Sequence, residues 1–313
     1  MFKHVLPIAA AAVVAVGVQT AWADTSSTGD TQPSKAAAGA SRNDQVVRET
    51  LKNGLQVIVV PDRLAPVATT MLTYQVGSRE APKGFPGMAH AQEHMMFRGT
   101  KTLSAEQIAA LGAALGGHSN AFTTNDSTTY YYTVPSQFTE VALRLQSERM
   151  QSVLDKPADW KQERGAIEQE VSQDMSSPLQ VAIKRMRKTL YKGTPYAHDA
   201  LGTRESFEQT TAKMLQTFHN RWYAPNNAVL VVAGDVDADN ILAAVEDMFG
   251  GIPSQELPER RPVDPGKVDS KTIRMPTDSG YGFALIGSRA PGSRDVQAMA
   301  TTEVLASVLN NPR

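Results

Sequence analysis

Two imidazoles and a carboxylate fall within five residues in the segment His90-Ala91-Gln92-Glu93-His94. In a helix, His90 and His94 lie one turn apart on a single face, with Glu93 about 60° from His90 around the axis. Imidazoles so placed can share one metal ion, and the carboxylate can reach a water beside it. That combination is a metal site with a general base already next to it.

The order of these residues mirrors His-Glu-x-x-His and matches the inverted zinc-peptidase signature. A catalytic zinc takes three protein ligands and keeps a fourth position open. The chain contains no cysteine, so the third ligand must be His, Asp or Glu. The acidic run 163–170 offers Glu163, Glu168 and Glu170. Glu163 and Glu170 are seven apart, two turns along nearly one helix face, so one can ligate while the other orients a ligand histidine. Periodicity does not choose among the three, and such a run also reads as a solvated helix face. His118, His198 and His219 lack metal spacing and read as structural or exposed. Phe97, the tyrosines 130–132 and Trp160 read as core or half-buried residues, with Phe97 placed to wall a cleft just past the motif.

Composition sets the frame for this chemistry. The chain has 313 residues, 41% of them apolar, enough for two domains with real cores. Lysine plus arginine number 31 against 32 acidic residues, a balance that points away from nucleic acid and anionic membranes as partners. Residues 1–23 read as a secretory signal peptide: Lys3 and His4, an apolar run over 5–18, then Ala21-Trp22-Ala23. Residues 24–45 read as a flexible linker rich in Ser, Thr, Gly and Ala. With no cysteine for disulfides, an exported protein of this kind is expected in the periplasm or cell envelope.

The elements that must position the motif follow from periodicity and turn chemistry. Residues 46–52 and 55–60 form a strand pair around Asn53-Gly54, and 67–76 a third strand. A Gly- and Pro-rich loop over 77–87 leads into the motif, and 88–98 has no helix breaker before Gly99. Ser104 and Gln107 make a capping box for a helix to Leu115, ended by Gly116-Gly117. Residues 118–124 and 127–134 form a strand pair. Helical periodicity runs through 138–154, 159–174, 179–191 and, as one helix, 205–222. A strand at 228–233 and a helix capped by Asp237 and ending at Phe249 close the unit. The expected fold class is α+β: a layered domain with an antiparallel or mixed sheet and helices, followed by the start of a second domain of similar fold. The boundaries expected are 46–252 for the metal-binding domain, 253–268 for a linker and 269–313 for a truncated second domain. Strands are expected at 272–275 and 281–288, with a helix over 295–309.

Together these motifs resemble the pitrilysin/insulinase family of zinc metallopeptidases, including its mitochondrial processing peptidase branch. The resemblance rests on His90-x-x-Glu93-His94, the acidic run ending at Glu170, Asn120-Ala121-Phe122-Thr123, and Tyr223-Ala224-Pro225-Asn226-Asn227 before the strand to Gly234-Asp235-Val236. It spans roughly residues 46–313. It implies one Zn2+ per chain held by His90, His94 and Glu170, with Glu163 helping to hold the ligands. It implies Glu93 as the general base toward a zinc-activated water. It also implies Asn120, Ala121 and Phe122 as an edge strand on which substrate adds, a mode that suits peptides and unfolded polypeptide because main-chain pairing is indifferent to sequence.

In that family a second, non-zinc domain supplies an Arg and a Tyr near the substrate carbonyl, and that region has no counterpart here. The resemblance therefore implies a longer chain, or a homo- or hetero-partner chain that completes the chamber. A noncatalytic peptide-binding or partner subunit is the rival reading; such members usually lose motif residues, whereas His90, Glu93, His94 and Glu170 are all present. A periplasmic zinc-binding protein would carry a His-rich loop, which is missing.

Overall fold

The structure is a computed structural model that describes residues 45–260, 262–276, 280, 282–292 and 295–310. The signal peptide expected at 1–23 and nearly all of the linker expected at 24–45 lie outside the described residues. Six strands form one mixed sheet: β1 (Val47–Thr50), β2 (Gln56–Pro61), β3 (Val67–Tyr74), β4 (His118–Thr123), β5 (Thr128–Pro135) and β6 (Ala228–Gly234). Their order is β1-β2-β6-β3-β5-β4, antiparallel throughout except for the parallel β2–β6 pair. The turn at Asn53-Gly54 closes the β1–β2 hairpin with Gly54 at φ +88°, a conformation that suits glycine. Among the described residues β4 is an edge strand, paired on one side only, and its backbone is open to a further strand on the other.

The alternation along the strands gives the sheet a dry face and a wetter one. Val57, Val59, Ala68, Leu72, Tyr74, Tyr130, Leu230 and Val232 are buried, while Thr69, Met71, Thr73, Val229 and Val231 between them are half-buried. On the wetter face Thr69 and Thr133 share a hydroxyl hydrogen bond at 2.9 Å, and Thr73 and Thr129 another at 3.0 Å, in cross-strand register. Helices α1 (Met88–Met95), α3 (Thr139–Ser152), α7 (Ala212–Trp222) and α8 (Ala238–Phe249) share one core with the dry face. The remaining helices are α2 (Ala105–Ala114), α4 (Pro157–Met175), α5 (Pro178–Leu190), α6 (Arg204–Gln209) and α9 (Val296–Asn310). The α+β layered class is the one observed.

Local signals at helix ends act as their chemistry dictates. Ser104 Oγ accepts from the Gln107 N–H at 3.3 Å, and Gln107 Oε1 accepts from the Ser104 N–H at 2.8 Å, completing the capping box of α2. Asp237 accepts from the Asn240 N–H at 3.0 Å at the start of α8.

Two expectations are corrected. The stretch 205–222 is not one helix: Thr210 turns to an extended ψ of 134° and Thr211 caps α7 through its side chain. Trp160 of α4 donates its indole N–H to the Thr210 carbonyl at 2.8 Å, so a tertiary contact takes up the acceptor that the break exposes. The strands expected at 272–275 and 281–288 are irregular in the described residues, because no strand lies beside them to complete a ladder. The last helix forms, as Val296–Asn310. Among the described residues no helix is long and apolar enough to cross a membrane.

Candidate metal centre

Helix α1 carries the motif and is held from both sides. Met88, Ala89, Ala91, Gln92 and Met95 are buried in the core, which leaves His90 and His94 half-buried on the opposite face and Glu93 buried between. The helix begins at Gly87, where a Cβ would lie 2.3 Å from Phe207 Cζ and 2.9 Å from Gly202 Cα. Only glycine admits so close an approach.

Helix α4 crosses α1 with Trp160, Glu163, Ile167 and Val171 buried along one stripe, so Glu163 is carried into the interface among apolar neighbours. One oxygen of Glu163 accepts from His94 Nδ1 at 2.8 Å, and the other accepts from Arg98. Two turns on, Glu170 reaches His90 Nε2 at 3.4 Å and His94 Nε2 at 3.7 Å. Glu168 turns to Arg164 and Arg204, at 3.6 and 3.9 Å. The tertiary arrangement thus separates three carboxylates that helical spacing alone leaves equivalent.

The donor geometry fits a tetrahedral metal. His90 Nε2 and His94 Nε2 lie 3.2 Å apart, and one ligand atom from each of His90, His94 and Glu170 falls within 4.8 Å of the others. A tetrahedral zinc with bonds near 2.1 Å has ligand atoms about 3.4 Å apart, close to the 3.2 Å between the two Nε2 atoms and the 3.4 Å from His90 Nε2 to Glu170 Oε2; the 3.7 Å contact of His94 Nε2 is to the other oxygen, Oε1. Both Nε2 atoms are aimed inward because each Nδ1 is engaged elsewhere: His94 by Glu163, and His90 by the Leu201 carbonyl at 3.2 Å. Two imidazoles and one carboxylate, without a thiolate, suit zinc.

Burial disfavours charge on both imidazoles. At His90 it is outweighed by Glu170, Glu93 and the Leu201 carbonyl, and the pKa rises; at His94 burial and the neighbouring His90 prevail, and the pKa falls. The hydrogen bond from His90 holds Glu170 below the usual carboxylate range against the opposing effect of burial. Burial pushes Glu93 up, offset in part by the Thr123 hydroxyl and the two imidazoles.

A cleft of about 720 Å³ opens over these groups. Asn120, Ala121, Phe122 and Thr123 of β4 line one side of it, with Phe97, Ala105, Ala109 and Leu201 among the other walls. Asn120 and Phe122 are exposed, and Asn120 Oδ1 accepts from the Ala121 N–H at 2.9 Å. Thr123 donates its hydroxyl to Glu93, joining the edge strand directly to the carboxylate of the motif. Of the other histidines among the described residues, His118 is exposed, His198 half-buried and His219 buried; none of these is in the metal group. Tyr130, Tyr132 and Trp160 are core residues.

Sequence reasoning missed three contributors. Leu201 acts through its main-chain carbonyl, which leaves no side-chain signature. Thr123 meets Glu93 only because β4 lies against α1. Arg98, the partner of Glu163, stands one turn after His94, and that spacing was a usable signal.

The chain is similar to known peptidases in sequence and in fold. Residues 56–204 match the family model described as Insulinase (Peptidase family M16), and residues 209–313 match the model described as Peptidase M16 inactive domain. An uncharacterised zinc protease of Mycobacterium leprae is 31% identical over 264 residues, covering 82% of this chain and 59% of the relative. The zinc protease PqqE of Helicobacter pylori is 34% identical over 202 residues, covering 64% of this chain and 46% of the relative. Among solved structures, a protease from Helicobacter pylori is 30% identical with a TM-score of 0.66, covering 71% of this chain and 54% of that one. The periplasmic protease PqqL of Escherichia coli is 26% identical with a TM-score of 0.65, covering 72% of this chain and 26% of that one. The chain spans about half the length of the curated relatives it matches.

Proposed function

The chain belongs to the insulinase family of peptidases, peptidase family M16, and from that premise we propose that it carries the active centre of a zinc-dependent metalloendopeptidase acting on peptides or unfolded protein segments. The observation that carries the reading is the convergence of His90, His94 and Glu170 on one point beside the buried carboxylate of Glu93. His90, His94 and Glu170 would hold one zinc, with Glu163 fixing His94. Bound there, zinc supplies Lewis acidity that polarises water and the scissile carbonyl. Glu93, held by Thr123, takes a proton from the attacking water and delivers it to the leaving amine. The open edge of β4 at Asn120, Ala121 and Phe122 offers main-chain pairing to an extended peptide next to that base.

The proposed domain extent is 46–252, followed by a linker at 253–268 and the opening of a second domain at 269–313. The sheet supports the first of these boundaries, since β6 and α8 share one core with the strands and helix that carry the site. The noncatalytic reading draws on the description of the 209–313 match as an inactive domain; all of the proposed ligands and the base lie in 56–204, which favours the enzyme. Placement in the periplasm or cell envelope draws on the 1–23 pattern and on the likeness to PqqL, itself described as periplasmic. A further domain or a partner chain would complete the chamber.

The test is metal analysis and hydrolysis of a quenched peptide by the full natural chain that contains these residues, as wild type and as Glu93→Gln. The expected result is one zinc per chain in both and a turnover about 10²- to 10⁴-fold lower in the variant. A folded wild type without zinc, or a variant that turns over normally, would sink the proposal.

A further inference from the structure

Three elements meet on the side chain of Asn125, in the turn between β4 and β5. Its Nδ2 donates to Ser78 Oγ at 2.8 Å and to the His198 carbonyl at 3.0 Å, while Oδ1 accepts from Arg187 at 2.8 Å. The main chain adds a fourth tie, the Arg79 N–H donating to the Asn125 carbonyl at 2.8 Å. Ser78 and Arg79 belong to the loop that leads into α1, Arg187 lies in the last turn of α5, and His198 lies in the segment 193–203. Both amide donors and the amide oxygen are thus in use at once, and few substitutions can reproduce that pattern.

The segment 193–203 matters because its far end holds a proposed ligand. Three residues past His198, the Leu201 carbonyl engages His90 Nδ1 and so presents Nε2 to His94 and Glu170. The segment lies directly on the start of α1: Gly202 adopts φ +87°, and a Cβ there would fall 2.5 Å from Gly87 Cα. Its outer side is tied to α5 through Asp199, 3.1 Å from Lys184. Asn125 adds the tie to the β4–β5 hairpin, whose first strand lines the cleft.

Building on the metal reading above, we infer that Asn125 is a positioning residue that locks the cleft hairpin to the 193–203 segment, so that the placement of β4 and the orientation of His90 are set together. Its loss leaves every proposed ligand in place but loosens the carbonyl behind His90 and the strand beside Glu93.

The experiment compares the full natural chain as wild type, Asn125→Ala, Asn125→Asp and Asn53→Ala. It reads zinc affinity by competition with a chelating dye, KM and kcat on a quenched peptide, and the melting temperature. Removing a direct partner of a metal ligand costs about 10- to 100-fold in affinity, so a residue one step further out should cost about 3- to 10-fold. Asn125→Ala is expected to show that loss together with a raised KM. Asn125→Asp keeps an acceptor for Arg187 but loses both donors, and it should follow. Asn53 likewise bridges two carbonyls, of Phe249 and Ile252 at 2.8 and 3.0 Å, none of them in the cleft. Asn53→Ala is expected to melt earlier and bind zinc as the wild type does. Wild-type zinc affinity in either folded Asn125 variant, or an equal loss in Asn53→Ala, would overturn the inference. A wild type that binds no zinc would overturn the metal reading and this inference with it.

Discussion

His94 Nδ1 donates to Glu163 Oε2 at 2.8 Å while Arg98 donates to the other oxygen of the same carboxylate. A single glutamate, its side chain about one-tenth exposed, thereby fixes the tautomer of one proposed ligand and neutralises the arginine that follows it one turn later. Glu163→Gln keeps the shape but cannot accept from both at full strength. Zinc affinity is expected to fall about 10- to 100-fold, with Glu170 and both histidines intact. Chelator competition on the folded variant checks this, and an unchanged affinity would remove Glu163 from the role.

Behind the motif, Gln92 donates to both oxygens of Asp155, at 3.2 and 3.4 Å, while its own Oε1 is buried without a partner. Burial pushes Asp155 up from 3.8 to about 6. Between those values the folded protein holds a proton that the unfolded chain has released, so stability falls as pH rises from about 4 to 6 and stays lower above it. Asp155→Asn removes that ionisation, can donate to Gln92 Oε1, and suits the local φ of +40°. A gain of about 1–3 kcal/mol at pH 7, and a much smaller one at pH 4, is expected from urea unfolding. Equal gains at the two pH values would show that charge is not the cause.

His219 is stacked on Tyr223, with ring centroids 5.0 Å apart and planes 9° apart, and burial lowers its pKa from 6.5 to about 4. The unfolded chain therefore binds a proton below pH 6.5 that the folded protein refuses until about pH 4. Stability is present above 6.5 and lost as pH falls through that window. Between pH 6.5 and 4.5 the wild type should lose about 2 kcal/mol from this group, roughly 4–8 °C in melting temperature. His219→Phe keeps an apolar ring against Tyr223 and should lose correspondingly less over the same interval. Parallel melting curves for the two proteins would contradict the assignment.

Much of the scaffold around the site was legible in the residues because it depends on near neighbours. Asn53-Gly54 closes a hairpin, Ser104 and Gln107 cap each other three residues apart, and the near-continuous apolar run 228–233 marks a buried strand. Errors fell where a distant partner decides. The break at Thr210 is supported by the indole of Trp160, fifty residues away, and the segments 272–275 and 281–288 stay irregular among the described residues because a strand needs another beside it.

The same division runs through the candidate site. By itself the sequence determined the kind of chemistry, since His90, Glu93 and His94 share a helical turn and their relative placement follows from the 3.6-residue period. The resemblance pointed to Glu170 and Glu163 where periodicity left the glutamates equivalent, but only the tertiary structure brings Glu170 to the histidines, Glu163 to His94 and Arg98, and the Leu201 carbonyl behind His90. Helical spacing sets angles within one helix. The distance between two helices, or between a helix and a loop, comes from the packing of whole surfaces, which here is the crossing of α4 over α1 and the backbone contact of Gly202 with Gly87.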